Sequence, residues 1–282
     1  MTHRFSQDNA KSLKISTSAS FDVGFFGAIM YSSGYGKAQP RRLIVLFDAL
    51  TGKCVSVMHA ENFAWLRTGA TSAVGAKYLA RNDSSIVGLI GSGKQARSQL
   101  TMLSHIFKLK EVRVYSPDPL HRENFVKKME ERMKAKIYPV SNAKAAVKAA
   151  DIVVLATTSK QPVIHREWLA EGVHVNAMGA HQPHAREFGD DLLGNTKLVV
   201  DFYEQAIDEY GEVIIPIQNK VGGGDAVYAE LGEIVCGKKV GRKSQDEITI
   251  FKSGGTGIDF LLLASRAYIK ATKAGLGVKT NI

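Results

Sequence analysis

Ile86-Val-Gly-Leu-Ile-Gly-Ser-Gly-Lys-Gln-Ala-Arg-Ser-Gln-Leu100 is the stretch from which the fold can be read. A short apolar run, Ile86 to Ile90, breaks at Gly91-Ser92-Gly93. A helical pattern follows, with Ala96, Leu100, Leu103 and Ile106 on one side. Gly91, Gly93 and Ala96 have the G-x-G-x-x-A spacing between a strand and a helix. Gly91 permits the sharp turn, Gly93 lets a pyrophosphate approach the backbone, and Ala96 lets the helix close on the strand. The phosphates then meet unpaired N–H groups at the helix start, where the macrodipole favours negative charge. Both flanks suit a dinucleotide site, so Gly91, Ser92, Gly93, Gln95 and Ala96 are cofactor-binding candidates.

Downstream of Ser85, strand-sized apolar runs alternate with helical patterns. Strands are expected at 86–90, 111–115, 136–139, 151–156, 173–178 and 197–201. Helices are expected at 94–107, 119–134, 142–149 and 203–210, with a short turn near 165–170. Such alternation implies a doubly wound parallel sheet covered on both faces. Ligands cross such sheets at the C-terminal strand edges. The loops after Ile90, Tyr115, Ala156 and Met178 therefore surround the cofactor, which adds Ala156, Thr157, Thr158, Met178 and Gly179 to the candidates.

Upstream, residues 1 to about 60 read as β-rich, with runs at Phe25 to Tyr31, Leu43 to Phe47 and Val55 to Met58. A tight hairpin at Leu50-Thr-Gly-Lys53 joins the last two. A helix follows from about Glu61 to Arg81, with Phe63, Leu66, Ala70, Val74 and Leu79 roughly on one face. At the other end, Ser253-Gly-Gly-Thr-Gly257 precedes a helix from Ile258 to about Ala274. Gly257 there is either an anion or nicotinamide contact or part of a hinge returning the chain to its first domain; both readings can hold together.

The chain of 282 residues is 45% apolar, with no low-complexity tract. Its polar start, Met1-Thr-His-Arg-Phe-Ser-Gln-Asp8, has no signal-peptide core, and no apolar run approaches the roughly 18 residues of a membrane span. Two cysteines, Cys54 and Cys236, are too few for a disulfide framework, so a cytoplasmic location is expected. No metal site is assigned. The formal charge of +10 comes from lysines that mostly alternate with acids, as in Lys127-Lys-Met-Glu-Glu-Arg-Met-Lys134. The densest cluster, Lys238, Lys239, Arg242 and Lys243, has no interleaved aromatics, which argues against a nucleic-acid partner. An anionic cofactor and a carboxylate substrate explain the charge more simply.

Cofactor choice rests on the end of the second strand, Glu111-Val-Arg-Val-Tyr115. NAD-specific domains commonly place an acid there for the ribose 2′-OH. Here the next residue is Ser116, which can donate to a 2′-phosphate, and Arg122 and His121 can add positive charge. Asp118 is the rival, since a shift of two residues would give it the ribose role. The reading is NAD(P)(H), with NADP favoured.

Four motifs together resemble the ornithine cyclodeaminase/mu-crystallin family across nearly the whole chain. They are Leu66-Arg-Thr-Gly-Ala-Thr-Ser-Ala73, Gly88-Leu-Ile-Gly-Ser-Gly-Lys-Gln-Ala-Arg-Ser-Gln-Leu100, Asp151-Ile-Val-Val-Leu-Ala-Thr-Thr-Ser159 and Gly172-Val-His-Val-Asn-Ala-Met-Gly179. Gly254-Gly-Thr-Gly-Ile-Asp259 looks like the family's closing turn. The resemblance implies an α/β fold in which a Rossmann domain (83–252) is inserted in a discontinuous α+β substrate-binding and dimerisation domain (1–82 and 253–282). It also implies a homodimer.

The family's shared chemistry is hydride transfer between nicotinamide and the carbon of an amine or imine. Its members include alanine dehydrogenases, ketimine reductases, opine-type synthases and an enzyme that makes proline from ornithine. Arg67 matches the arginine that holds the substrate carboxylate, for which a guanidinium fork is suited. Arg4 lies where a second such arginine often stands.

The chain also departs from the pattern. Ile29, or its neighbour, occupies the place of a usual lysine. His181 stands where cyclodeaminating members carry an aspartate. Family members also have several tens of residues ahead of the point where this chain begins. The absences argue against a cyclodeaminase-type lyase and keep a non-catalytic nucleotide binder as an alternative. A near-neutral imidazole suits proton transfer, so His181 is the candidate general acid/base, with His184 close by. The expected activity is an NAD(P)-dependent oxidation or reduction at a CH–NH2 or C=N carbon of a small amino acid, keto acid or cyclic imine.

Overall fold

The computed structural model describes residues 2–7, 11–33, 42–219 and 226–280. It divides into two compact units, 1–67 with 255–282, and 68–254. The divisions between these units fall at 67/68, inside a helix, and at 254/255.

The first unit is a five-stranded antiparallel meander, β1 (Thr2–Gln7), β2 (Lys11–Ser20), β3 (Phe25–Ser33), β4 (Arg42–Asp48) and β5 (Cys54–His59), in that order. Helix α1 (Phe63–Leu79) begins in this unit. The β4–β5 turn is built as its sequence suggests. Asp48 Oδ1 accepts from the N–H groups of Leu50 and Thr51 at 3.1 and 2.8 Å, and Gly52 takes a φ of +68°.

Register sorts the strands into two faces. Ser16, Ile29, Ile44 and Met58 lie in one row across β2 to β5. With Phe25 and Leu46 they face the C-terminal helix α8 (Gly257–Lys273), whose Phe260, Leu261 and Ala264 complete this core. The opposite face carries the rows Ile15–Met30–Leu43 and Ala28–Val45–Val57. Leu13, Leu43 and Val57 remain 40–50% exposed there.

The second unit is an eight-stranded parallel sheet. Its first half holds β6 (Ile86–Ile90), α2 (Lys94–Leu103), β7 (Glu111–Tyr115), α3 (Pro119–Glu130), β8 (Lys136–Pro139), α4 (Ala143–Val147) and β9 (Ile152–Leu155). The second half holds β10 (His174–Ala177), β11 (Thr196–Val200), α5 (Tyr203–Glu209), α6 (Gly211–Gln218), β12 (Val227–Glu230), α7 (Leu231–Val235) and β13 (Ile248–Lys252). The spatial order is β12-β11-β13-β10-β9-β6-β7-β8, and every pairing is parallel. Residues of β9, β10 and β13 are buried throughout, as strands covered on both faces require. The chain reverses direction across the sheet between β6 and β9, which sets the switch point there. At the opposite edge Asp151 ties the two strands together, accepting the Ser85 and Ile86 N–H groups at 2.8 and 2.9 Å and pairing with Arg81.

Two helix expectations need correction. Helix α2 ends at Leu103, and Ile106 lies beyond it, 42% exposed. In α1 the buried face is Thr68, Gly69, Ser72, Ala73, Gly75, Ala76 and Leu79, whereas Leu66 and Val74 are exposed. Close approach rather than bulk explains this face. A Cβ on Gly75 would collide with the Phe251 ring, and one on Gly69 would collide with Ser98. Apolar periodicity follows large side chains and misses a helix packed by its smallest residues. Strands β12 and β13 and helices α6 and α7 also escaped the sequence reading.

Among the described residues no helix is long and apolar enough to cross a membrane, and no group of three His, Cys, Asp or Glu residues is placed to hold a metal.

Candidate active site

The candidates of the second unit gather on the C-terminal ends of β6, β7, β9 and β10. Main-chain bonds lock these ends together: Gly91 N–H donates to Tyr115 O at 2.8 Å, Ala156 N–H to Ile90 O at 2.9 Å, and Met178 N–H to Leu155 O at 2.9 Å. Gly91 has a φ of +117°, and any Cβ there would strike the Ala156 carbonyl. The turn therefore needs glycine for both conformation and clearance. Gly93 differs. It N-caps α2 with φ −86° and ψ −171°, ordinary for any residue, and a Cβ there would meet nothing among the described residues within 4 Å. The open space above Gly93 has no internal packing reason, which fits room kept for a ligand.

The N-cap residue of α2, Gly93, has no side chain with which to cap it, and the first turn holds no acid, so this helix start suits an anion. Ala96 is fully buried beneath the turn. Gln95 Nε2 is buried with no partner among the described residues. Around the end of β7, Ser92 Oγ donates to Ser116 Oγ at 2.9 Å, and Arg122 Nη1 donates to Ser116 O at 2.6 Å. Arg122 Nε is buried without a partner among the described residues, and its guanidinium carbon lies 5.8 Å from the Tyr115 ring centre. Asp118 is engaged elsewhere: its Oδ1 N-caps α3 by accepting His121 N–H at 2.9 Å, a bond that holds its carboxyl below the usual carboxylate range. These features fit the pyrophosphate and ribose of a dinucleotide.

On the β9–β10 side, Thr157 is half-buried, Thr158 is exposed, and Met178 is buried. A Cβ on Gly179 would press on Thr157 O and the Glu187 carboxylate. His181 is exposed, with Nδ1 3.2 Å from Gly179 O, an arrangement that favours the proton on Nδ1 and leaves Nε2 as the basic nitrogen. His184 is also exposed.

Beneath these loops is a charged cluster that the sequence reading missed. Glu187 is fully buried, and its two oxygens accept Thr157 N–H at 2.7 Å and Gly179 N–H at 2.6 Å. Glu212 Oε1 accepts Glu187 N–H at 2.9 Å and lies 3.2 Å from Lys252 Nζ. Lys252 Nζ also donates to Ala180 O. The available signal was Lys252 closing the strand-sized run Ile248-Thr-Ile-Phe251.

In the first unit, Arg67 is nearly buried. Nη1 lies 3.8 Å from Asp259 Oδ2, its guanidinium carbon stands 4.8 Å over the Phe260 ring, and Gly255, at φ +85°, passes so close that a Cβ would overlap it. Gly257 opens α8, where Thr256 and Asp259 form a capping box, and a Cβ there would meet Thr17 O at 2.7 Å. That clearance gives Gly257 a packing reason of its own. Ile29 is 2% exposed and packs on Phe260 and Ala264. Arg4 lies in β1 opposite Lys14, and its side chain is outside the described residues.

A family model described as "Ornithine cyclodeaminase/mu-crystallin family" matches residues 32–274. The alanine dehydrogenase of Archaeoglobus fulgidus is 38% identical over 238 residues, covering 84% of this chain and 72% of that protein. The solved structure of Thermococcus litoralis Delta(1)-pyrroline-2-carboxylate reductase in complex with NADH and L-proline is 33% identical with a TM-score of 0.94, covering 99% of this chain and 88% of that one. An archaeal alanine dehydrogenase dimer with bound NAD is 32% identical with a TM-score of 0.93, covering 100% and 88%.

Proposed function

The chain belongs to the ornithine cyclodeaminase/mu-crystallin family, and from that premise we propose that it is a nicotinamide-dependent oxidoreductase acting at the C–N carbon of a small amino acid or cyclic imine. The observation that carries this reading is the open, uncapped Gly93 turn at the switch point of a parallel sheet. The second unit is read as the dinucleotide-binding domain and the first as the substrate-binding and dimerisation domain.

When bound, the nicotinamide donates or accepts the hydride. The residues of this chain bind, orient and move protons. Gly91, Ser92, Gly93, Gln95 and Ala96 hold the pyrophosphate on the α2 terminus. Ser116 and Arg122 take the adenine ribose, and Ala156, Thr157, Thr158, Met178 and Gly179 line the nicotinamide side, with Gly257 as a further contact. Arg67, joined by Arg4, holds the substrate carboxylate. His181 Nε2 exchanges the proton of the substrate nitrogen.

The assay is absorbance at the reduced-nicotinamide band, with pyrroline-2-carboxylate, piperideine-2-carboxylate and pyruvate plus ammonia as substrates and NADH and NADPH compared. Turnover of at least one imine or keto acid is expected. Nucleotide binding with no turnover on any of them favours the second reading, a non-catalytic binder, which rests on buried Ile29 standing where a lysine is usual.

For the cofactor, the engagement of Asp118 at its helix cap favours Ser116 as the residue facing the ribose substituent, hence NADP(H) over NAD(H). Ser116→Asp places a negative charge there and is expected to shift the ratio of kcat/KM for NADPH over NADH toward NADH by about 10-fold or more. A wild-type preference for NADH, unmoved by this change, returns the role to Asp118.

The apolar outer face of the five-stranded sheet fits a second copy of this chain, and the two unpaired cysteines fit a cytoplasmic setting. Sedimentation velocity is expected to give about twice 30.7 kDa, and Val57→Glu to give the monomer. A wild-type monomer at micromolar concentration rules this assembly out.

A further inference from the structure

We propose that Glu187 is a positioning residue, a buried clamp that fixes the two strand-end loops on the nicotinamide side of the site. The inference rests on the reading of those loops given above.

Its geometry is specific. The loop after β9 and the loop after β10 each offer one main-chain N–H, Thr157 and Gly179, and each is taken by a different oxygen of the same carboxylate. Gly179 has no room for a side chain because Thr157 O and the Glu187 carboxylate close around it, so the two loops meet across this group. Glu187 is itself held. Its N–H donates to Glu212, its carbonyl accepts Val163 N–H at 2.8 Å, and Glu212 is paired with Lys252. Lys252 reaches past the pair to Ala180 O, the carbonyl just ahead of His181.

Thr157, Gly179 and Ala180 are thus pinned from below by side chains that do not face the ligand space. Burial pushes the Glu187 carboxyl up, against the downward pull of the Lys252 ammonium and the Thr157 N–H. A buried acid would be a poor choice if only packing were needed, since a hydrophobic group of similar size avoids the desolvation cost. What a carboxylate alone offers here is two acceptors in one rigid plane, aimed at two different loops.

Glu187→Gln keeps the shape but leaves one acceptor, and its NH2 must face an N–H donor. One loop is then released. Hydrogen–deuterium exchange on the ligand-free protein is expected to run about 10- to 100-fold faster in the peptides around Thr157 and Gly179, with β6, α2 and β7 unchanged. NADH affinity by fluorescence titration should stay within about 3-fold, because the α2 terminus is untouched. The rate constant for turnover should fall by about 10-fold or more, with a larger primary isotope effect from 4-deuterated NADH. Glu187→Asp, which keeps the charge but reaches one N–H, should fall between the two and serves as the test if the glutamine variant does not fold. Unchanged local exchange, or exchange raised evenly through the whole unit, overturns the clamp. Faster local exchange with an undiminished rate overturns its part in the reaction. A wild-type protein that binds no nicotinamide nucleotide overturns the functional reading and the positioning role with it, while the exchange data still judge the clamp itself.

Discussion

Gly93→Val is expected to fold normally and to lose NADH or NADPH affinity by at least about 100-fold. The pyrophosphate would otherwise accept several charge-assisted bonds from the α2 terminus, each contributing roughly 1.5–3 kcal/mol. Losing two of them already exceeds that factor. The structure makes the experiment clean, because φ −86° and ψ −171° suit a β-branched residue and no atom of the described residues lies within 4 Å of the new Cβ. The neighbouring Gly91→Val supplies the contrast: at φ +117°, against the Ala156 carbonyl, it should cost the fold itself. Thermal melts separate the two variants, and fluorescence titration reads the affinity. A folded Gly93→Val protein that binds the nucleotide as well as wild type does would show that the site is elsewhere.

Arg67→Ala is expected to raise KM for the carboxylate substrate on the order of 100-fold, as loss of a bidentate charged contact would. Nucleotide affinity should move only a few-fold. The surroundings of Arg67 set the control. Its guanidinium is braced by the Phe260 ring and lies 3.8 Å from Asp259, which also accepts Thr256 N–H at 3.0 Å in the α8 cap. Asp259 keeps its capping role when Arg67 is truncated, so the stability loss should be about 1 kcal/mol. Arg67→Lys restores charge without the planar fork and should recover only part of KM. If Arg67→Ala lowers the melting temperature and leaves KM alone, the arginine is a structural brace for α8.

The sequence shows the Rossmann half most clearly where strands are short, apolar and bounded by turns. Ile86–Ile90, Glu111–Tyr115 and Lys136–Pro139 fall at their expected places. β2 reads poorly because Lys11-Ser-Leu-Lys-Ile-Ser-Thr-Ser-Ala-Ser20 is mostly polar, with serines even on the row that meets Ile29. α1 misleads because its buried face is glycine, alanine and serine. The nucleotide turn was legible since its chemistry is local, held within a few residues. The Glu187–Glu212–Lys252 cluster was not, because its partners lie 25 and 40 residues apart and meet only through the sheet topology. At Gly93 the spacing points to a need for glycine, and among the described residues no neighbour of its missing Cβ supplies a packing reason for that need.

The placement of β13 has a consequence for the order of events on the ribosome. β13 pairs with β10 on one side and β11 on the other, and β11 has no pairing with β10. The nascent chain can assemble β8-β7-β6-β9-β10 as soon as Ala177 has emerged, but the β11–β12 pair has no place on that sheet until Lys252 follows. At about 5–20 residues per second this leaves several seconds in which β10, buried throughout in the finished protein, is an open edge. A newly made chain is then most vulnerable to mispairing with its neighbours on the polysome, and that interval is where a holding chaperone has most to protect.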